Sequence, residues 1–306
     1  MTIKTKLLII GTGPAGYTAG IYTGRANLKP LILTGHIEGG QLTQTPEIEN
    51  FPGFPSALGG FELMTKMKEQ AENYGATIKQ DTITSVDFSK RPFALTGENE
   101  TYEADSVIIA TGAVARGFNI ESEKKYTGKG VSYCATCDGF FYKGKKVAVL
   151  GGGDTAVEEA LYLSNFCEHV TLVHRRDELR AEKIMQDKLF AKENIDIIWD
   201  SLVEEFVGDD MGLSGVKIKN KNSNEETTLE VAGAFVAIGY NPSSEVFKGA
   251  VEIDEAGYII KKCKTCQTSV EGVFVCGDVS EPIYKQAVIA SGNGAIAAIE
   301  AEKFLN

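Results

Sequence analysis

One pattern occurs twice in this chain of 306 residues: an apolar, strand-like run ends in a glycine-rich turn and passes straight into a helical stretch. The first copy begins at Lys6 and the second at Lys145. Their repetition predicts an α/β fold built from two Rossmann-like dinucleotide-binding domains. A third observation bears on chemistry: the run Cys134-Ala135-Thr136-Cys137-Asp138 lies just ahead of the second copy.

The length suffices for two domains, each with its own core. With 43% hydrophobic and 24% charged residues, the chain has the balance of an ordinary globular protein. The net charge of −11 argues against a nucleic acid or an anionic membrane surface as partner. Residues 7–10 are apolar but are stopped by Gly11, at about half the run a signal peptide needs. No window approaches the ~20 apolar residues of a membrane span. Six cysteines without a secretory signal point to a reducing compartment, so the expected location is the cytoplasm.

In the first copy, residues 6–10 read as a buried parallel strand. It runs into Gly11-Thr12-Gly13-Pro14-Ala15-Gly16, and residues 17–26 have helical composition. Glycines let the backbone turn and approach a pyrophosphate, and the helix N-terminus offers amide donors. The second strand, residues 30–33, ends in Thr34-Gly35 where a ribose-binding acid is expected, and Glu38 is the candidate to replace it. The loops Glu38-Gly39-Gly40-Gln41-Leu42 and Glu49-Asn50-Phe51-Pro52-Gly53 are too glycine-rich for helix. They are either plain surface loops or backbone that hugs a large planar ligand. Residues 61–74 have helical spacing, which puts Phe61, Met64, Met67, Ala71 and Tyr74 in the core. Strands are expected at residues 77–79, 83–88 and 93–96. A further strand at 105–110 stops at Thr111-Gly112 and leaves its carboxyl edge open to a ligand.

In the second copy, residues 145–150 form the strand and Gly151-Gly152-Gly153-Asp154-Thr155-Ala156 the turn. Residues 157–165 form the helix and 169–173 the next strand, and the unit closes on residues 234–239, with Ile238-Gly239 last. After Val173 come His174, Arg175 and Arg176, with Arg180 one helical turn further on. A 2′-phosphate needs arginine where a free ribose needs an acid, so this cluster favours NADP over NAD. A solvated helix start is the plainer alternative, since Asp177, Glu178 and Glu182 fit that too. After Asn241-Pro242 the composition returns to that of the first copy. A strand at 272–278 ends in Gly277-Asp278, suited to a cofactor's hydroxyls, and Tyr284-Lys285-Gln286-Ala287 opens a small-residue helix running to Leu305.

Two thiols three positions apart allow either a disulfide or a metal site. Asp138 favours the first, because thiol–disulfide exchange needs a proton for the sulfur that leaves. Two packed, inert cysteines remain the plain alternative. A second pair, Cys263 and Cys266, is flanked by Lys261, Lys262 and Lys264, with no carboxylate after it. It is an auxiliary redox pair, half of a zinc site or, as favoured here, two accidental thiols. A zinc-stapled, non-enzymatic nucleotide-binding protein would need both pairs to meet in space. With three histidines, His36, His169 and His174, a histidine-based hydrolase is poorly supplied.

Taken together, GTGPAG, GGQLT, CATCD, GGGDTAVEEA, HRRDELRAEK and CGDV resemble the bacterial, low-molecular-weight thioredoxin reductases, from Leu7 to Leu305. The resemblance implies an FAD domain from residues 1–113 and 243–306, into which an NADPH domain of residues 114–242 with the redox cysteines is inserted. It implies a homodimer without a metal, and electron flow from NADPH to FAD, to a Cys134–Cys137 disulfide and on to thioredoxin. By position, Cys137 resembles the thiol beside the flavin, Cys134 the one that attacks thioredoxin, and Asp138 the general acid and base. His174, Arg175, Arg176 and Arg180 resemble the 2′-phosphate site, and Asn50, Asp278 and Gln286 match FAD-contacting positions. Lys285 stands where an arginine is common, and residues 36–41 differ slightly from the usual loop. A related flavoprotein with another thioredoxin-like partner or with ferredoxin is the alternative, and the arginine cluster weakens ferredoxin. The inserted domain is expected to turn as a rigid body on hinges near residues 113–117 and 241–244.

Overall fold

The computed structural model describes residues 2–45, 47–262 and 265–306. Two compact units divide the chain: residues up to Val114 together with Asn241–Asn306, and Ala115–Tyr240. The first unit starts with β1 (Thr2–Ile10), α1 (Pro14–Arg25), β2 (Leu31–Leu33), α2 (Gly60–Asn73) and β3 (Thr77–Lys79). It continues with β4 (Ile83–Asp87), β5 (Phe93–Gly97) and β6 (Thr101–Ile109), and the chain leaves through β7 (Ala113–Ala115). The second unit holds α3 (Glu121–Tyr126), β8 (Val131–Ser132), α4 (Ala135–Asp138), β9 (Lys146–Gly151), α5 (Asp154–Leu163) and β10 (His169–Val173). It goes on through α6 (Lys183–Phe190), β11 (Ile195–Ile198), β12 (Ser201–Asp209), β13 (Gly212–Asn220), β14 (Glu226–Glu230) and β15 (Gly233–Ala237). The chain returns in β16 (Tyr240–Pro242), paired with β7, and ends with β17 (Val273–Val275) and α7 (Ala287–Leu305).

The first unit's sheet has the order β3-β2-β1-β6-β5-β4. The strand β6 is shared: residues 101–104 pair antiparallel with β5, and residues 107–109 pair parallel with β17. Side chains alternate across a strand, so Leu7 and Ile9 join a core with α1, α2 and α7. Leu8 and Ile10 join the opposite core, with Phe247, Val251 and Ile259. The second unit repeats this plan in a parallel sheet, β11-β10-β9-β15-β8. There Val147 and Val149 pack with α5, while Ala148 and Leu150 pack with Phe206 and Val216. Burying each such Val, Leu or Ile stabilises the fold by ~1.5–3 kcal/mol relative to exposure. The α/β class and the doubled nucleotide-binding plan are those expected from the repeated motif.

Several local expectations are revised. Helix α1 begins at Pro14 rather than Tyr17, because proline loses nothing at a position whose N–H has no helical partner. Only Gly60, Leu63, Met64, Met67 and Ala71 of α2 are buried. Phe61 lies off that stripe and is 71% exposed, and Tyr74, just past the helix under the Arg25 guanidinium, is 41% exposed. Residues 41–44 of the glycine-rich loop form a short 3-10 turn. Tyr284, Lys285 and Gln286 precede α7 instead of opening it. The antiparallel sheet β12-β13-β14 was not anticipated. Irregular register at Val203/Glu205 and at Val207/Gly208 breaks the alternation that would have revealed β12.

Candidate active site

In the second unit, β8 delivers the chain to Cys134, which caps α4. Cys134 and Cys137 form a disulfide, with their Cα atoms 5.3 Å apart. The amides of Cys137 and Asp138 donate to the Cys134 carbonyl at 3.2 and 3.1 Å, folding the motif into one tight turn. The Ser132 hydroxyl donates to Asp138 Oδ2 at 2.6 Å and accepts the Cys134 N–H at 3.1 Å. Burial raises the Asp138 carboxyl above the usual range, against the opposing pull of Ser132. A carboxyl so placed keeps a proton closer to neutral pH.

Glu159 is a residue that motif reading missed. Its Oε1 accepts the Ala135 N–H at 3.1 Å, and burial, the first cause, pushes its carboxyl up to about 7. The signal was helical spacing: Glu159 falls beside the stripe of Ala156, Ala160 and Leu163, which α5 buries.

The second glycine turn lies in the same unit. A Cβ on Gly151 would stand 2.3 Å from the Ala237 carbonyl oxygen, and one on Gly152 would stand 2.1 Å from the His174 ring. Nothing lies within 4 Å of the position a Gly153 Cβ would take, at the N-terminus of α5. Arg175, Arg176 and Arg180 lie not on a helix but on the open loop between β10 and α6. That loop is pinned to the turn, since the Arg180 amide donates to the Gly152 carbonyl at 2.8 Å and the Glu182 amide to Asp154 Oδ1 at 2.8 Å. The charges so gathered end in exposed guanidinium groups. His174 is buried, its Nε2 has no hydrogen-bond partner, and burial lowers its pKa. Thr155 is exposed on the first turn of α5. Ile238 packs on the neighbouring core, and Gly239 (φ +105°) accepts the Arg116 N–H at 2.9 Å.

The first unit gathers its predicted residues around the other turn. Gly13 caps α1, with nothing within 4 Å of the position its Cβ would take. A Cβ on Gly16 would sit 2.0 Å from the Gly11 carbonyl oxygen, so helix and strand meet there only because the residue is glycine. The Gly39 amide donates to Thr12 Oγ1 at 3.0 Å, Thr12 Oγ1 donates to the Thr34 carbonyl at 3.2 Å, and Gly40 lies against Gly13. Gly277 abuts Ala15, which brings Asp278 to the same turn. Burial pushes the Asp278 carboxyl up to about 6, opposed by the charge of Lys285. The Lys285 ammonium stands 5.3 Å from the centre of the Tyr258 ring. Asn50 donates through Nδ2 to Gln286 Oε1 at 3.3 Å, just ahead of Ala287, joining residues 236 positions apart. The Thr111 hydroxyl donates to the Ser243 carbonyl at 2.7 Å and the Ser243 amide to the Gly112 carbonyl at 2.9 Å. Gly35 keeps a positive φ of +69°, Gln41 is exposed, and Leu42 packs on the core. Glu38, the candidate for ribose, pairs with Lys68 at 2.5 Å.

The residues fit two dinucleotides on this structure's own terms. Each turn has an open glycine at a helix N-terminus, flanked in one unit by a buried carboxyl and in the other by an imidazole with an unpartnered Nε2 and three guanidinium groups. Among the described residues, no group of three or more His, Cys, Asp or Glu is placed to hold a metal ion. Cys263 of the second pair lies outside the described residues, while Cys266 is buried and its Sγ donates to the Asn293 carbonyl at 3.4 Å.

Two nucleotide-binding units, one with a redox disulfide, define a nucleotide-dependent disulfide oxidoreductase. Residues 5–294 match the pyridine nucleotide-disulphide oxidoreductase family, and the chain belongs to it. It is 53% identical to a thioredoxin reductase of Rickettsia conorii, with 100% of both chains covered. It is 51% identical to one of Vibrio cholerae, with 99% of this chain and 97% of the other covered. The solved thioredoxin reductase of Giardia duodenalis superposes with a TM-score of 0.94 at 44% identity, over 99% of each chain. The likeness read from the motifs thus runs the whole length.

Proposed function

We propose that this chain is an NADPH-dependent thioredoxin-disulfide reductase, with FAD held by the first unit and NADPH by the second. The observation that carries this reading is the Cys134–Cys137 disulfide with the buried Asp138 beside it, in the unit that bears the second glycine turn. Full-length similarity to thioredoxin reductases supports thioredoxin as the protein substrate. The same reading includes a homodimer and a cytoplasmic location. When bound, nicotinamide would supply a hydride and flavin would relay its two electrons.

The chain's own residues bind, orient and move protons. Residues 11–16, 39–42, 50, 277–278 and 286 would hold the FAD, the amides at the head of α1 suiting its pyrophosphate and Asp278 its hydroxyls. Arg175, Arg176 and Arg180, carried over the turn by the loop after β10, take the 2′-phosphate of NADPH, with His174 behind them. Opening the disulfide with two electrons leaves two sulfurs, and Asp138 passes a proton to one of them. Cys134 then attacks the thioredoxin disulfide, forming a mixed disulfide and releasing one thioredoxin thiol after protonation. Attack by Cys137 on the Cys134 sulfur restores the internal disulfide and frees the second thiol. Purified protein decides the matter: it should be yellow and should oxidise NADPH only when oxidised thioredoxin is present. Colourless protein, or equal rates with NADH, would refute the assignment.

A further inference from the structure

Behind the cysteine turn stands a carboxyl group that the reaction above leaves idle. Glu159 lies beside the buried stripe of α5, and its Oε1 ties down the N–H of Ala135, the residue after Cys134, at 3.1 Å. Its Oε2 is sealed from solvent and has no hydrogen-bond partner. An ionised carboxylate there would leave an unpaired, desolvated charge, whereas a protonated one places its proton on the sealed carboxyl.

The charges facing Glu159 do not compensate it. Burial, Glu158 on its own helix and Asp138 on α4 all oppose ionisation, and the Ala135 N–H favours it; the result lies at about 7. Other elements packed on α5 carry Lys146 on β9, His169 on β10, and Lys183, Asp187 and Lys188 on α6, while β15 carries no titratable side chain. None of these is among the groups that shift Glu159.

We propose that Glu159 is a positioning residue for the Cys134–Cys137 couple, holding the first turn of α4 through Ala135 and taking up a proton from solvent when the disulfide opens. The inference rests on the reductase reading. Two electrons break the Sγ–Sγ bond and leave two thiolates, of which one gains a proton by way of Asp138. The remaining thiolate adds negative charge to the turn whose Ala135 N–H Glu159 holds, so the carboxyl binds a proton that it did not fully hold beside the closed disulfide. Passing the electrons to a substrate disulfide removes that charge, and the proton returns to solvent. The couple therefore becomes harder to reduce with rising pH by more than its thiols alone require.

Glu159→Gln keeps an oxygen for the Ala135 N–H and removes the titration. Holoenzyme is equilibrated with dithiothreitol mixtures from about pH 6 to 9, and Cys134 and Cys137 are read by alkylation and mass. One extra proton per two electrons is a tenfold change in equilibrium constant per pH unit, ~30 mV. The unsubstituted protein should show a steeper slope than E159Q, by up to that amount around neutral pH. Equal slopes across the range overturn the proposal. A second measurement needs no variant: reduced-minus-oxidised infrared spectra of unsubstituted protein near neutral pH should gain a protonated-carboxyl C=O band, and no gain overturns the proposal. Normal thioredoxin turnover with equal slopes removes the role of Glu159 alone. A disulfide that NADPH cannot open removes the reductase reading itself.

Discussion

At the scale of single residues, the chemistry rests on two sulfurs and the groups that hold their protons. Cys134 and Cys137 lie in the second unit, and the residues gathered around Gly13 lie in the first, so losing a sulfur leaves the other site's construction intact. Cys134→Ser or Cys137→Ser is therefore expected to abolish thioredoxin reduction while FAD stays bound, as measured by turnover and by flavin per chain. Apoprotein after either change would contradict that separation. Asp138 was legible as a candidate proton donor because it follows the second cysteine directly. Glu159 was not, since its role depends on α4 packing over α5, and motif spacing carries no trace of that contact. The ion pair of Glu38 was hidden for a similar reason: its partner Lys68 comes from α2, a separate element.

At the scale of elements, both glycine turns were legible because their constraints are local. At Gly16 a Cβ would meet the Gly11 carbonyl oxygen five residues back, and at Gly151 one would stand 2.8 Å from the Ala156 Cβ of the same turn, besides the Ala237 carbonyl of β15. The β12-β13-β14 sheet stayed hidden because its bulged register scrambles the two-residue period. The loop after β10 supplies one test. Replacing both Arg175 and Arg176 by alanine removes charge-assisted bonds of ~1.5–3 kcal/mol each. The KM for NADPH should rise more than tenfold, with little change for NADH, and equal effects on both nucleotides would show that these arginines do not read the 2′-phosphate. Helix α7 supplies another. A Cβ on Gly294 would stand 2.2 Å from the Ala15 carbonyl oxygen, whereas Gly292 on the same helix has open space. Gly294→Ala should cost ~1–3 kcal/mol by overpacking and loosen FAD. Gly292→Ala should be neutral or stabilising by up to about 1 kcal/mol. Thermal unfolding and flavin retention compare the two, and equal behaviour would mean that α1 and α7 tolerate a wider gap.

At the scale of the molecule, the chain crosses between units in β7 and β16, whose short pairing leaves both units complete on either side. The disulfide and the second glycine turn belong to one unit, so under the proposed function a flavin held by the other unit would have to serve first the nicotinamide and then the disulfide. Rigid-body turning of the inserted unit at these crossings would let it do so. A covalent tether fixing one orientation should then allow one half-reaction and block the other. Normal turnover by fully tethered enzyme would exclude the rotation. The central claim, that NADPH electrons reach the Cys134–Cys137 disulfide, is tested most directly by anaerobic titration of the holoenzyme with NADPH. Flavin absorbance and alkylatable thiols are followed together. The account predicts loss of the oxidised-flavin absorbance and two new thiols per chain, located at Cys134 and Cys137. A flavin that stays oxidised, or a disulfide that stays closed while the flavin is reduced, would contradict it.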